Sequence, residues 1–278
     1  MNWETAKNWL IAAFLILDIV LGWQLVQSRN ELRGYVESYP DLLANTKTLL
    51  ADHGFTLTAQ VPQDQPDMPS FRADYSSPSL NVLWHAAFPK EKNALVDSNS
   101  DTAVTEAGKL RVLTIGTWQV SYHNPIELTS GVNPLHYIWQ GTEYQLDPAA
   151  SLTATQTYVQ SYKDFPIFDA PVTLDVENGV LQGYTETSIE NIDQTGNPKP
   201  IISALDALDS LANSVDKTDS QADNKILRVD LGYAHKIPVS GPETSSAQAN
   251  YWFPVWRVYT EQQLYYINAF TGEVDTAP

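Results

Sequence analysis

Residues 201–214 read IISALDALDSLANS, and after a polar break the chain resumes as ILRVDLGYA at 226–234, ANYWFPVWRVYT at 249–260 and LYYINA at 264–269. In the first stretch Ile201, Ile202, Leu205, Leu208 and Leu211 recur every three or four residues, so they share one side of a helix. Val215–Asn224 is polar and reads as a loop. The three stretches that follow it are dense in aromatic and β-branched residues and read as strands. One helix followed by an antiparallel meander predicts a helix laid across one face of a sheet, an α+β arrangement.

Working back from there, Val172–Glu177 and Val180–Ile189 pair as a hairpin across Asn178-Gly179, a dipeptide that tolerates the positive φ of a tight turn. Ser151–Tyr162 reads as a short helix. His136–Leu146, Leu110–His123, Leu80–Phe88 and Ser70–Tyr75 read as strands, with turns at Asn124-Pro125 and Asn133-Pro134 and a mobile loop over Glu91–Gly108. Val61–Pro69 is rich in Pro and Asp and reads as a loop, and Phe55–Ala59 alternates like a strand. A further helix over 41–53 starts at Tyr39-Pro40-Asp41, carries Leu42, Leu43, Thr46, Leu49 and Leu50 as its stripe, and stops at Gly54. Helix-then-strands thus occurs loosely twice, without a repeat at the level of residues.

The amino-terminal run WLIAAFLILDIVLGWQLV, residues 9–26, is of another kind. Eighteen helical residues span roughly 27 Å, close to the hydrocarbon thickness of a bilayer. Trp3, Trp9 and Trp23 lie near its edges, where indole rings favour the headgroup zone. No small-residue cleavage site follows, since Gly22-Trp23-Gln24-Leu25 stands there, so an uncleaved transmembrane helix over 9–27 is favoured over a signal peptide. Lys7 precedes the run and Arg29 and Arg33 follow it, so the positive-inside rule does not orient it. Ile11, Leu15, Asp18, Gly22 and Leu25 share one helix face. A carboxylate at that depth costs several kcal/mol unless it is neutral or partnered. Asp18 therefore either bonds to a partner helix that Gly22 allows to come close, or stays neutral or reaches water.

Across 278 residues, 16 Lys and Arg face 33 Asp and Glu, a formal charge of −17 that repels phosphate backbones and excludes nucleic acid as a partner. The absence of cysteine excludes disulfides, thiolate metal sites and cysteine nucleophiles. His53, His85, His123, His136 and His235 have no spacing that makes a zinc site. Ser214-Val215-Asp216-Lys217 falls at a polar helix end, unlike a catalytic serine–lysine pair. Asp216, Asp219 and Asp223 lack the alternation and central glycine of a calcium loop. No catalytic constellation is legible, and no cofactor is implied. The aromatic group Trp252, Phe253, Trp256, Tyr259, Tyr265 and Tyr266 either packs the core or forms a docking patch.

Two places carry a family signal. The leader Met1-Asn2-Trp3-Glu4-Thr5-Ala6-Lys7, then Phe14-Leu15-Ile16-Leu17-Asp18 and Gln24, resembles the opening of YycI (WalI) proteins. Trp256-Arg257-Val258-Tyr259 and the run from Tyr265 through Asn268, Gly272 and Glu273 to Val274 are similar to the closing strands of YycI and YycH and to the PepSY-type pattern. The resemblance implies a non-enzymatic regulator of YycG (WalK), the sensor histidine kinase of a two-component system governing cell-wall metabolism in Gram-positive bacteria, working beside YycH. It implies a cytoplasmic leader over 1–8 and an extracytoplasmic region of antiparallel sheets with packed helices. That region divides into a membrane-proximal part, 28–150, and a helix-plus-meander part, 151–278. An anchored wall- or peptide-binding module with a PepSY-like outer domain is the alternative.

Overall fold

The computed structural model describes residues 38–91, 95–97, 101–128, 132–152, 155–215, 224–235 and 250–276. The chain divides into two units, Met1–Thr46 and Lys47–Pro278. The division falls inside helix α1, Tyr39–Asp52. At its start the Ser38 hydroxyl donates to Asp41, and Gly54, with φ 80°, follows its end as expected.

The second unit is mostly antiparallel sheet. Its strands are β1 Phe55–Leu57, β2 Met68–Tyr75, β3 Leu95–Asp97, β4 Thr102–Val104, β5 Gly108–Thr114, β6 Thr117–Glu127, β7 Tyr144–Leu146, β8 Gln156–Tyr162, β9 Phe165–Glu177, β10 Val180–Thr187, β11 Ile189–Lys199, β12 Asn224–Ala234, β13 Tyr251–Thr260, β14 Leu264–Asn268 and β15 Val274–Thr276. They run in the order β11-β2-β13-β12-β9-β10-β6-β5-β4-β3, with β1, β7, β8, β14 and β15 attached beside this path. Strand β9 joins the halves, because Ile167 pairs with Tyr233 of β12 while Val172–Glu177 pairs with β10.

Helix α3, Ala204–Ser214, begins with a reciprocal cap: the Ser203 hydroxyl accepts from Asp206 N, and the Asp206 carboxylate accepts from Ser203 N. Leu205, Leu208 and Leu211 are buried as the sequence predicts, each contributing about 1.5–3 kcal/mol. The helix lies against β14 and β15. The meander β12-β13-β14 runs from Ile226 opposite Thr260 to Val255 opposite Asn268, with one bulge in β12 between Ile226 and Arg228. At the β9–β10 turn Asn178 and Gly179 have φ 52° and 78°, the mirror-image turn that this dipeptide favours.

Several segments differ from their expected form. Leu80–Ala87 is a helix, α2, rather than a strand. Ser79 caps it, and Leu83, Trp84 and Ala87 face inward at helical spacing. An apolar run of this length fits either period, and the cap decides. Leu110–His123 is two strands, β5 and β6, folded at Gly116 with φ 77°. Asn124-Pro125 is no turn. Strand β6 continues to Glu127 over a bulge in which the register with β10 slips between Ser121–Gly183 and Ile126–Leu181, which accommodates a residue without N–H. Glu91–Gly108 contains the β3–β4 hairpin.

His136–Leu146 is two 3-10 turns, Pro134–Tyr137 and Gly141–Glu143, leading into β7. A Cβ at Gly141 would lie 1.9 Å from Leu135 O, so only glycine permits that approach. Ser151–Tyr162 holds strand β8 instead of a helix, in keeping with Thr157, Tyr158 and Val159. Strand β11 had no legible apolar alternation because it is an exposed edge.

Candidate functional site

The carboxyl-terminal signature residues are brought together at the foot of α3. Trp256 is buried in β13 and its indole Nε1 donates to Ile202 O at 3.0 Å. Asn268 closes β14. Its side-chain oxygen accepts the N–H of Phe270 at 2.8 Å and of Thr271 at 3.3 Å, and its own N–H donates to Glu273 O. Gly272 has φ 76°, and a Cβ there would lie 2.9 Å from Ser210 Oγ. These residues therefore build a turn that seats on α3. Trp252, Trp256 and Tyr265 are core residues, and Phe71 stacks on Trp252 at 5.6 Å.

On the face of β13 opposite to Trp256 lies an arrangement that the sequence did not announce. Arg257, 2% exposed, donates from Nη1 and Nη2 to the two oxygens of Asp147 at 2.9 and 2.6 Å, and from Nη2 to Asp230 at 3.2 Å. Its guanidinium carbon sits 3.8 Å from the ring centre of Phe168 and 5.0 Å from that of Tyr259. Arg228 shares Asp230 from the half-exposed side, at 2.8 Å. Burial pulls the Arg257 pKa down, but the hydrogen bond and charge of Asp147 outweigh it and the net direction is upward, so the guanidinium stays charged. The available signal was an arginine inside an aromatic strand, which had to be paired. Its partner is 110 positions away in the chain, and no spacing points to it.

A third buried acid, Glu186, stands apart from these two. Glu186 on β10 accepts from Trp118 Nε1 at 2.9 Å and from the Tyr144 hydroxyl at 3.2 Å. Burial pushes its carboxyl up to about 8, against the opposing pull of the bonds from Trp118, Tyr144 and the Trp139 backbone. These three donors lie on β6, β7 and the loop before β7, so Glu186 fastens that loop to the sheet. Burial also raises the Tyr144 hydroxyl well above its ordinary value, and Glu186 adds to the shift.

Among the described residues no three of His, Asp and Glu converge as metal ligands. His53 Nδ1 lies 2.9 Å from Leu49 O, and the His235 backbone N–H donates to Asp169 at 2.7 Å. Ser214 donates to Leu211 O. Lys217, Asp216, Asp219 and Asp223 lie outside the described residues, as do Trp3, Lys7, Ile11, Phe14, Leu15, Asp18, Gly22, Gln24 and Leu25. Among the described residues no helix is long and apolar enough to cross a membrane. At the surface, Ile115 at the β5–β6 tip is 74% exposed, with Leu113 and Val82 also exposed. Beside them a cleft of about 410 Å³ runs between the tip and the start of α2.

The model of the YycI protein family matches residues 85–270, more than half of the chain. No curated protein matches. The crystal structure of an uncharacterized protein from Eubacterium rectale ATCC 33656 is similar at 9% identity and a TM-score of 0.48, covering 87% of this chain and 100% of that one.

Proposed function

This chain belongs to the YycI protein family, and from that premise we propose that it is a membrane-anchored regulator of the YycG (WalK) sensor histidine kinase, acting with YycH. The family is a regulatory one, with a role in the YycG two-component system. In our reading the apolar run 9–27 spans the membrane with its leader in the cytoplasm, and the large region beyond it is extracytoplasmic. The helix face Ile11, Leu15, Asp18, Gly22 and Leu25 meets helices of the kinase or of YycH. The outer region makes the second contact.

The family match carries this reading. Two features support it: a mid-span carboxyl that is costly without a partner, and exposed apolar residues at the β5–β6 tip that a lone soluble surface gains nothing by presenting. The test replaces Asp18 or Gly22 with Leu and follows co-purification with the kinase together with target-gene output. Both should fall while membrane insertion persists. Wild-type values for both, with the anchor inserted, overturn the membrane contact. Recovery of the large region on the cytoplasmic side by protease accessibility overturns the placement.

A further inference from the structure

Strand β12 has a gap along one side. Strand β13 pairs with it from Ile226 to Ala234. On the opposite side, β1 covers Asn224–Ile226, and the N–H groups of Thr58 and Ala59 both end on Ile226 O. Strand β9 takes up pairing only at Tyr233. Among the described residues, Leu227–Leu231 has no paired strand on that side, a length of about 17 Å at ~3.3 Å per residue; at Gly232 strand β9 already closes in, since a Cβ there would lie 2.5 Å from Pro166 O.

The backbone direction follows from a proline. Pro254, opposite Tyr233, has no N–H, and its carbonyl accepts from Ala269 on the far side. Tyr233 is therefore turned away from β13, towards β9, and the strand's alternation turns Leu231 and Val229 the same way. Their N–H and C=O groups point into the gap.

The gap opens on space. A cleft of about 620 Å³ has Val229, Leu231 and Trp256 on its floor and Phe165 at one end. A second, of about 520 Å³, continues along β12 towards Ala59 and shares Pro62 and Asp64 with the first. The outer wall is the strap 59–66. Pro62 and Pro66 cannot donate to a ladder, so the strap cannot close the gap as a regular strand. The Gln65 side chain, bonded to Ile201 O, pins the strap in place. Asp230 is committed to Arg257 and Arg228, whereas Asp64 on the rim is exposed and has no ion-pair partner among the described residues.

We propose that this gap is a strand-acceptor slot: an extended peptide segment carrying a Lys or Arg inserts beside β12, hydrogen-bonds to Val229 and Leu231, and sets its basic residue against Asp64. The occupant is a basic, β-prone segment of a partner protein, since a chain of charge −17 favours a cationic ligand and the open ladder favours extended backbone. The slot stands independently of the kinase reading.

The test uses the full chain in detergent micelles and a mixture of acetylated, amidated heptapeptides with a central Lys and flanks drawn from Val, Ile, Thr, Leu and Phe. Amide hydrogen exchange is read at Val229 and Leu231. Both amides should exchange freely without peptide and about tenfold more slowly at millimolar peptide. A mixture with central Glu, or one N-methylated at alternate residues, should bind about tenfold more weakly, as loss of the charge pair or of two hydrogen bonds requires. Asp64→Lys should reverse the preference between Lys and Glu. The proposal is overturned if these amides are already protected in the free monomer, or become protected only as protein concentration rises. It is equally overturned if no mixture slows them, or if N-methylation leaves binding unchanged.

Discussion

Arg257 Nη2 lies 2.6 Å from Asp147 Oδ1, a contact that joins the third strand from the carboxyl terminus to the residue just past β7, both of them buried. Charge, bidentate geometry and an aromatic ring against the guanidinium face compensate for desolvation here, with Asp230 as the second acid.

Removing one partner should be costly. Asp147→Ala removes two of the three carboxylate bonds to Arg257 and is expected to destabilise the sheet unit by about 3–5 kcal/mol. Replacing both residues, Arg257→Met with Asp147→Leu, should cost less than Asp147→Ala alone. Urea unfolding of the two variants beside the wild type checks the order. A loss in the double variant as large as that of Asp147→Ala, or larger, would overturn the prediction.

Glu186 predicts a dependence on pH. Its carboxyl is raised from 4.5 to about 8 in the folded state, so between those values the folded chain holds a proton that the unfolded chain has released. The stability contributed by protonated Glu186 is full below pH 4.5 and is lost as pH rises to about 8. Glu186→Gln keeps a neutral group of the same shape and should flatten this slope. Unfolding midpoints from pH 5 to 9 that fall equally in both proteins would assign the slope elsewhere.

Two glycines separate strain from contact. Gly179 and Gly272 have φ 78° and 76°, but a Cβ at Gly179 meets nothing within 4 Å, while one at Gly272 comes within 2.9 Å of Ser210 Oγ. Gly179→Ala should cost about 1 kcal/mol from the backbone alone. Gly272→Ala should cost more, and adding Ser210→Gly should recover only the excess. Thermal unfolding of the three variants measures the difference.

The β5–β6 tip offers a surface test. Ile115→Asp touches no core residue and should leave stability within about 0.5 kcal/mol. It is expected to reduce co-purification with YycH or the kinase. Unchanged recovery of both proteins would overturn the proposed docking role of the tip.

Legibility followed burial and local chemistry. The Asn178-Gly179 turn, the helix stripe Leu205–Leu208–Leu211 and the meander after it could be read because each is set by neighbours within about ten positions. Leu80–Ala87 could not, because a short run of eight residues, six of them apolar, suits both periods and Ser79 alone marks the helix. The role of Asn268 and Gly272 as a seated turn is half visible: a glycine between Thr271 and Glu273 suits a turn, but its neighbour Ser210 belongs to another element.

The chain's own order of residues determined its class, its Asn178-Gly179 hairpin, its acidic composition and its apolar amino-terminal run, since periodicity, turn chemistry and charge are carried by adjacent positions. Tertiary structure alone decided which acid meets Arg257, that Glu186 lies sealed under Trp118 and Tyr144, and that β12 keeps an open side between β1 and β9. Each of those depends on segments tens to more than a hundred residues apart arriving at one place, and packing selects that meeting without leaving a local pattern.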